Sequence, residues 1–269
     1  GPAVKNNEGE WVLLNGNQTA LMFVYYLITR WKELGKINGK EYIVKTIVTT
    51  ETIKTIAERN GVEMYDVYTG FKWIANVMRE NEGKKNYIGG GEESYGFLCE
   101  DFVRDKDAVS ACVILAEIAA WAKDQGLSLY QLLQKIYVEY GFSKEKGISV
   151  VKKGKSGAEE IEAMMKKFRE NPLTEIAGSK VTYFYDYSTL KGKDYAENET
   201  VTLDMPTTSN VLQYFTEDNT KVSIRPSGTE PKIKFYCEVH SKVKNIDELP
   251  EAEKAAEEKI NQIKASLGI

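Results

Sequence analysis

The sequence is poor in the residues that build disulfide frameworks and histidine-based metal sites. It contains three cysteines and one histidine among 269 residues. Cys99, Cys112 and Cys237 are far apart and odd in number, so they favour reduced thiols and a cytoplasmic location over a disulfide scaffold. The single histidine, His240, excludes a metal site with two histidine ligands from this chain.

The sequence also lacks a long apolar run and any massed block of positive charge. The longest apolar stretch, residues 20–28, is far shorter than the about 20 residues that a membrane-spanning helix needs. Lys and Arg number 36 against 40 Asp and Glu, and they are scattered along the chain. Since nucleic-acid-binding surfaces concentrate basic residues on one face, we expect neither a nucleic-acid nor a membrane partner. A single phosphate needs only a few donors and stays possible.

The length and the order of segments predict two globular domains. Apolar residues make up 42% and charged residues 28% of the chain, an ordinary globular balance. Up to residue 141, strand-like and helix-like segments alternate, which predicts an α/β domain with a parallel sheet and helices on both faces. Beyond it, strands cluster between flanking helices, which predicts a smaller α+β domain with an antiparallel sheet. We divide the chain into a remnant of a preceding domain (1–14), the α/β domain (15–145) and the α+β domain (146–269).

Hydrophobic periodicity and turn residues place the elements. A short hairpin is predicted at residues 3–4 and 11–14, and a hairpin with no strand before it suggests that the natural chain begins earlier. Asn17, Asp107 and Ser128 are the expected N-caps of three helices. Helices are predicted over 18–34, 51–60, 71–80, 108–124 and 129–140, from 156, and after Pro250. Strands are predicted over 42–50, 62–68, 148–151, 181–187, 211–215, 221–224 and 232–239, and one begins at 87.

The segment Arg225–Pro231 carries the chemistry of a phosphate site. Arg225 offers a planar fork of donors that matches two phosphate oxygens. Ser227 and Thr229 add hydroxyl donors, and Gly228 allows a backbone turn with inward N–H groups. The two prolines limit the freedom that anion binding would remove. An ordinary strand connection uses the same Pro, Ser and Gly residues, so this alternative stays open.

The glycine-rich segment Gly89–Gly96 has a different chemistry. Two carboxylates, Glu92 and Glu93, would repel a pyrophosphate, so the glycines do not indicate a dinucleotide site. Carboxylate and hydroxyl oxygens suit the neutral hydroxyl groups of a sugar, because each can accept hydrogen bonds from O–H donors. A glycine-rich turn exposed to solvent is the alternative.

Three weaker candidates follow from position. Thr69 and Gly70 lie between a strand and a helix, where backbone N–H groups could meet an anion or serve only as a cap. Lys106 belongs to the charged run 104–107, which is either functional or a solvated face. His240 ends a strand and is expected on the surface rather than as a catalytic base.

The two loops, taken together and in this order, resemble those of a known family. Gly91-Glu92-Glu93-Ser94-Tyr95-Gly96, followed by Arg225-Pro226-Ser227-Gly228-Thr229-Glu230-Pro231, is similar to the α-D-phosphohexomutase superfamily. The bacterial phosphoglucomutase/phosphomannomutase branch is the most similar, and the likeness includes residues 14–19. It implies the third and fourth domains of a four-domain enzyme, an isomerase that shuttles a phosphoryl group.

The resemblance assigns roles residue by residue. By likeness, Glu92 and Ser94 hold the sugar hydroxyls and Thr69 and Gly70 line the substrate. Lys106 would approach the transferring phosphate. The phosphate that is not transferred would be held by Arg225, Ser227, Gly228 and Thr229. Phe71 and Gly96 stand where other members have histidine, and these departures argue against a mannose-type preference. The sequence alone does not choose among glucose, mannose and pentose phosphates as substrates.

Two motifs of the family are absent from the sequence. It has no Ser-His-Asn-Pro segment for a phosphoserine and no Asp-x-Asp-x-Asp-Arg segment for Mg²⁺. The resemblance therefore implies that the longer enzyme uses Mg²⁺ and a hexose 1,6-bisphosphate intermediate, while this chain holds no metal and is inactive without its N-terminal domains. A free-standing sugar-phosphate-binding module and a scaffold that binds no ligand are the alternatives.

Overall fold

The computed structural model describes residues 1–152, 154–228 and 230–269, with the side chain of residue 155 left out. The chain forms two compact units. The first contains residues 1–142 and 242–249, and the second contains residues 143–241 and 250–269. All three cysteines are free. No helix in the described part of the chain combines the length and the hydropathy of a membrane span.

The first unit opens with the predicted hairpin. Strands β1 (Ala3–Lys5) and β2 (Trp11–Leu13) pair antiparallel, with Ala3 opposite Leu13. The turn closes through a hydrogen bond from the Gly9 N–H to the Asn6 carbonyl oxygen at 3.1 Å. Gly9 has φ +85°, a conformation that glycine adopts without steric cost.

Four strands form the sheet of the first unit. They are β3 (Glu41–Thr46), β4 (Glu63–Val67), β5 (Asn86–Gly91) and β6 (Phe97–Cys99), in the order β4-β3-β5-β6. β3 runs parallel to β4 and β5, which confirms the predicted fold class, and β6 adds an antiparallel edge strand. With three residues, β6 is too short to show the two-residue alternation by which strands are recognised.

Helices cover both faces of this sheet. They are α1 (Gly16–Glu33), α2 (Thr52–Arg59), α3 (Phe71–Asn81), α4 (Ala108–Asp124) and α5 (Leu129–Tyr140). On one face, Ile74 of α3 packs in a buried cluster with Tyr42 and Val44 of β3. Leu98 of β6 belongs to the same cluster, and its neighbour Phe97 points to the opposite face because successive strand residues alternate between faces. On that opposite face, the rings of Phe97 and of Phe23 in α1 lie 4.6 Å apart.

The start of α1 corrects the sequence prediction. Asn15, not Asn17, is the N-cap: its Oδ1 accepts the Gln18 N–H at 2.8 Å, and Gln18 Oε1 accepts the Asn15 N–H at 3.0 Å. This is a reciprocal capping box, so the Asn-x-x-Gln spacing decides between the two asparagines. Asn17 lies inside the helix, where its Oδ1 accepts the N–H of Thr50 at 3.0 Å. Asp107 and Ser128 cap their helices as predicted.

The same contact explains why β3 ends before the predicted Thr50. The N–H of Thr49 bonds back to the Thr46 carbonyl at 2.9 Å, and the N–H of Thr50 is taken by Asn17. Neither group is then available to a neighbouring strand. The β-branched run 46–50 therefore continues as a buried turn.

The second unit is an α+β domain built on one large sheet. Its strands are β7 (Phe142–Val151), β8 (Glu175–Ile176), β9 (Ser179–Asp186), β10 (Lys191–Asp194), β11 (Glu199–Thr202), β12 (Leu212–Thr216), β13 (Lys221–Pro226) and β14 (Lys232–Ser241). The order is β11-β10-β9-β12-β13-β14-β7, and the pairs from β11 to β14 are antiparallel. The predicted antiparallel domain is confirmed. β8, β10 and β11 escaped prediction because they are short or polar.

Two helices, α6 (Gly154–Glu170) and α7 (Leu249–Leu267), complete this unit. The apolar residues of α6 recur at the spacing of one helical stripe, Ile161, Met164, Met165 and Phe168, and all but the half-buried Met164 are buried. Phe168 contacts Phe235 of β14 with ring centroids 6.3 Å apart. α6 begins at Gly154, ahead of the predicted start at Ser156.

The second unit also contains a buried ionic group. Lys221 Nζ lies 2.9 Å from Glu238 Oε2, and His240 Nε2 lies 2.7 Å from Glu238 Oε1. The side chains are 1%, 3% and 19% exposed, so His240 is not the surface residue that the sequence suggested. Burial alone would raise the pKa of Glu238. The positive charges of Lys221 and then of His240 outweigh this effect and hold the pKa of Glu238 well below its usual range.

Candidate functional site

Three loops of the first unit follow the carboxyl ends of the parallel strands. Residues 47–50 follow β3, residues 68–70 follow β4 and residues 92–96 follow β5. Because the carboxyl ends of parallel strands meet at one edge of a sheet, these loops share that edge. Ligands of α/β domains bind there.

Glu92 is fixed at this edge by the loop after β4. Its Oε1 accepts the backbone N–H of Gly70 at 2.8 Å, and its own N–H donates to the Gly96 carbonyl at 2.8 Å. The Glu92 side chain is buried. Gly70 has φ +112° and stands at the start of α3. The structure thus brings Gly70, which directly follows Thr69, into contact with Glu92.

The tip of the loop after β5 lies against the start of α1. Ser94 is exposed at this tip, and the Tyr95 hydroxyl donates to the Leu14 carbonyl at 3.2 Å. Gly16 lies directly underneath, since a Cβ there would come within 1.8 Å of the Glu93 carbonyl oxygen. The sugar loop, as we call residues 91–96, can adopt this position only because Gly16 has no side chain.

Lys106 lies beside the sugar loop. Its Nζ pairs with Asp105 Oδ1 at 3.1 Å and lies 5.7 Å from the centroid of the Phe71 ring. A Cβ at Gly96 would be 3.0 Å from Glu92 Oε2 and 3.1 Å from Lys106 Cδ. Because Gly96 has no side chain, the Glu92 carboxylate and the aliphatic part of the Lys106 side chain can lie close together.

A buried polar cluster after β3 escaped the sequence analysis. Lys45 is fully buried, and its Nζ pairs with Asp66 Oδ1 at 2.7 Å and Glu51 Oε1 at 2.9 Å. Thr46 donates to Glu93 Oε2 at 3.4 Å, which links this cluster to the sugar loop. A lysine inside a buried parallel strand was the available signal, because charged residues are almost never buried without partners.

The phosphate candidates lie in the second unit, between β13 and β14. The Ser227 N–H donates to the Lys232 carbonyl at 2.8 Å, and Ser227 Oγ accepts the Glu230 N–H at 3.3 Å. Gly228 is exposed with open space around it. Thr229 lies outside the described residues. We call residues 225–231 the phosphate loop.

Two arginines near the phosphate loop differ in their bonding. Arg169 of α6 is engaged, with Nε 3.0 Å from Asp186 Oδ2 and Nη2 2.8 Å from Asn210 Oδ1. It lines a groove of about 660 Å³ on one side of the loop. Arg225 is half-buried at the end of β13, opposite Lys234 in the strand pairing, and its side chain has no hydrogen-bond or ion-pair partner among the described residues. Its fork of donors is open to an anion.

Comparisons with known proteins agree with both units. The family model described as phosphoglucomutase/phosphomannomutase, alpha/beta/alpha domain III, matches residues 15–140, and the C-terminal domain of the same family matches residues 149–256. A phosphoglucomutase of Staphylococcus aureus is 36% identical over 93% of this chain and 44% of its own length. One of Staphylococcus haemolyticus is 32% identical over 88% of this chain and 42% of its own length. The chain thus spans less than half of these relatives.

A solved structure supports the fold alone. The Paramecium phosphoprotein parafusin, a phosphoglucomutase in an open form, superposes with a TM-score of 0.57 at 16% identity. The superposition covers 97% of this chain and 43% of parafusin. The two family models confirm the resemblance drawn from the loops: the chain belongs to the phosphoglucomutase/phosphomannomutase family and corresponds to its third and C-terminal domains.

Proposed function

We propose that this chain is the substrate-holding C-terminal part of a phosphosugar mutase, an isomerase that interconverts hexose 1-phosphate and hexose 6-phosphate. The observation that carries the proposal is the open Arg225 guanidinium in the phosphate loop of a chain from this family. Burying one face of an arginine that has no side-chain partner among the described residues is costly unless an anion completes it. In this proposal, residues 15–145 form the sugar-binding domain and residues 146–269 form the phosphate-binding domain.

The proposed division of labour follows the chemistry of each loop. Glu92 accepts hydrogen bonds from two neighbouring sugar hydroxyls and Ser94 contributes a further one, while Thr69 and Gly70 line the ligand. The backbone of Gly70 fixes the Glu92 carboxylate before a sugar binds, so less entropy is lost on binding. Lys106 neutralises the phosphate being transferred. The distal phosphate is held by Arg225, Ser227, Gly228 and Thr229.

In the longer enzyme, a phosphoserine gives its phosphoryl group to a free sugar hydroxyl, and the hydroxyl proton leaves to a base. The product is a hexose 1,6-bisphosphate, whose other phosphoryl group returns to the serine after the sugar reorients. Such transfer depends mainly on positioning and on neutralising charge. The loops of this chain supply positioning, because hydroxyls shared by both orientations meet the same Glu92 and Ser94.

The phosphoserine and Mg²⁺ belong, in this proposal, to N-terminal domains of the longer protein. In the ranges that the structure describes, no three His, Cys, Asp or Glu side chains are placed to hold a metal ion. The chain alone binds phosphosugar without turnover, and we place the enzyme in the cytoplasm.

Calorimetric titration of the chain with glucose 1-phosphate, glucose 1,6-bisphosphate and inorganic phosphate tests the proposal. Arg225→Gln removes a charge-assisted bidentate contact worth about 1.5–3 kcal/mol, so all three ligands should bind about ten- to hundredfold more weakly. Arg79→Gln, on an exposed arginine of α3, is the control and should change nothing.

The substitution Glu92→Gln tests the sugar loop independently of the phosphate loop. It should weaken binding of both sugar phosphates by roughly tenfold and leave inorganic phosphate unaffected, because Glu92 meets hydroxyls only. Unchanged affinity in the Arg225 variant would refute the phosphate role. Turnover of glucose 1-phosphate by the chain alone would refute its assignment as a non-catalytic half.

A further inference from the structure

Helix α4 turns an apolar face to solvent. Val109 and Val113 are 74% and 61% exposed. Cys112, Ala116 and Ala120 are exposed on the same side, at spacings of three and four residues. We call these five residues the α4 face. The opposite side of the helix is buried through Ile118 and Ala122.

The α4 face lacks the polar residues that a solvent-facing helix side normally carries. Glu117 borders it, and its Oε1 accepts a hydrogen bond from the Tyr26 hydroxyl at 2.6 Å. Apart from Glu117, the charged residues of α4 are Lys123 and Asp124 in the last turn. From Val109 to Ala120 the α4 face itself thus presents about 17 Å of uncharged surface. Exposed apolar patches of this kind mark interaction sites.

We propose that the α4 face docks against the N-terminal domains of the same longer protein; this rests on the proposed function. The chain spans 44% of its Staphylococcus aureus relative and matches the third and C-terminal domains of the family, so more than half of such a polypeptide lies outside it. A face without charges suits a permanent contact, because obligate interfaces resemble a hydrophobic core. Its small side chains, Cys112, Ala116 and Ala120, let the partner's backbone approach closely.

Cys112 reports directly on whether this face is covered. It is the exposed cysteine of the three, whereas Cys99 and Cys237 are 7% and 1% exposed. Native alkylation with iodoacetamide, read peptide by peptide by mass spectrometry, should modify Cys112 readily in the 269-residue chain. In the complete product of the gene, we expect the rate at Cys112 to fall at least about tenfold.

Other results would overturn the docking. Equal rates in the two proteins would do so, as would a complete reading frame that holds no upstream domains. Protection that grows with the concentration of the 269-residue chain, with no further protection in the complete protein, would assign the face to a second copy instead. Mutase activity separates this proposal from the previous one. Activity with an unprotected Cys112 refutes only the docking, and a protected Cys112 without activity refutes only the mutase role.

A charged substitution provides an independent test. Val113→Lys should leave the urea midpoint of the 269-residue chain unchanged, because the side chain there faces water. In the complete protein it should raise the Cys112 alkylation rate at least about tenfold. Leu34→Lys, on a residue of the same unit that is 59% exposed at the end of α1, is the matched control and should leave protection intact. Full protection in the Val113 variant would contradict the proposal.

Discussion

Substituting Gly16 by alanine tests how the start of α1 supports the sugar loop. An alanine Cβ would lie 1.8 Å from the Glu93 carbonyl oxygen and 2.8 Å from the Tyr95 backbone nitrogen. Both obstacles are backbone atoms, so the clash can be relieved only by moving the loop or the helix. Overpacking of this kind costs about 1–3 kcal/mol. Alanine recovers up to about 1 kcal/mol of helix preference, less at a first helical position, so we expect a net loss of about 1–2 kcal/mol.

Two measurements are needed on this variant. Urea unfolding followed by circular dichroism should show the lower stability. Calorimetry should show roughly tenfold weaker binding of glucose 1-phosphate, because Glu92 and Ser94 move with the loop, and unchanged binding of inorganic phosphate. Gly147→Ala is the control, since Gly147 of β7 is exposed and a Cβ there meets nothing within 4 Å. Wild-type stability and affinity in the Gly16 variant would falsify the packing argument, and lower stability with unchanged affinity would disconnect Gly16 from the sugar site.

The buried ionic group gives two further predictions. Lys221→Met leaves the buried Glu238 carboxylate without its lysine partner, with His240 on its other oxygen, and should cost about 3–5 kcal/mol in urea unfolding. Lys54→Met, which breaks an exposed pair with Glu58, should cost under about 1 kcal/mol, and equal losses would contradict the burial argument. Burial alone would lower the pKa of His240, but the Glu238 carboxylate outweighs this effect and raises that pKa. The stabilisation that His240 contributes to the folded state is therefore complete below the unfolded-state pKa of about 6.5 and is lost as the pH rises through the folded-state pKa. The difference in unfolding free energy between wild type and His240→Gln should therefore shrink as the pH rises above about 6.5, and a constant difference would contradict the argument.

Long elements with strong patterns could be predicted from the sequence. α4 was placed residue by residue, because Asp107 marks its start and an unbroken apolar pattern follows. Helical spacing predicts the α6 stripe at Ile161, Met164, Met165 and Phe168, and all of these except the half-buried Met164 are buried. Fold class followed from the order of such elements, since alternating strands and helices allow few topologies.

The remainder depended on contacts between distant residues. β3 ends early because Asn17, 33 positions away, takes the Thr50 N–H. His240 is drawn inward by Glu238, two residues before it on the same face of β14. No local pattern reports such pairings. For the candidate sites, the residue chemistry of the two loops suggested a sugar and a phosphate as ligands. The contacts by which Lys45, Thr46 and Gly16 support the sugar loop became visible only in three dimensions.

The return of the chain to the first unit limits how this protein can be dissected. Residues 242–249 belong to the first unit, although 99 residues of the second unit, 143–241, precede them. Their short 3₁₀ turn, Ile246–Glu248, contacts α5. A stop codon after residue 142 would delete this segment and leave that side of α5 bare. Isolating the first unit therefore requires a linker that joins residue 142 to residue 242, and the remaining pieces of the second unit would need a second linker from residue 241 to residue 250.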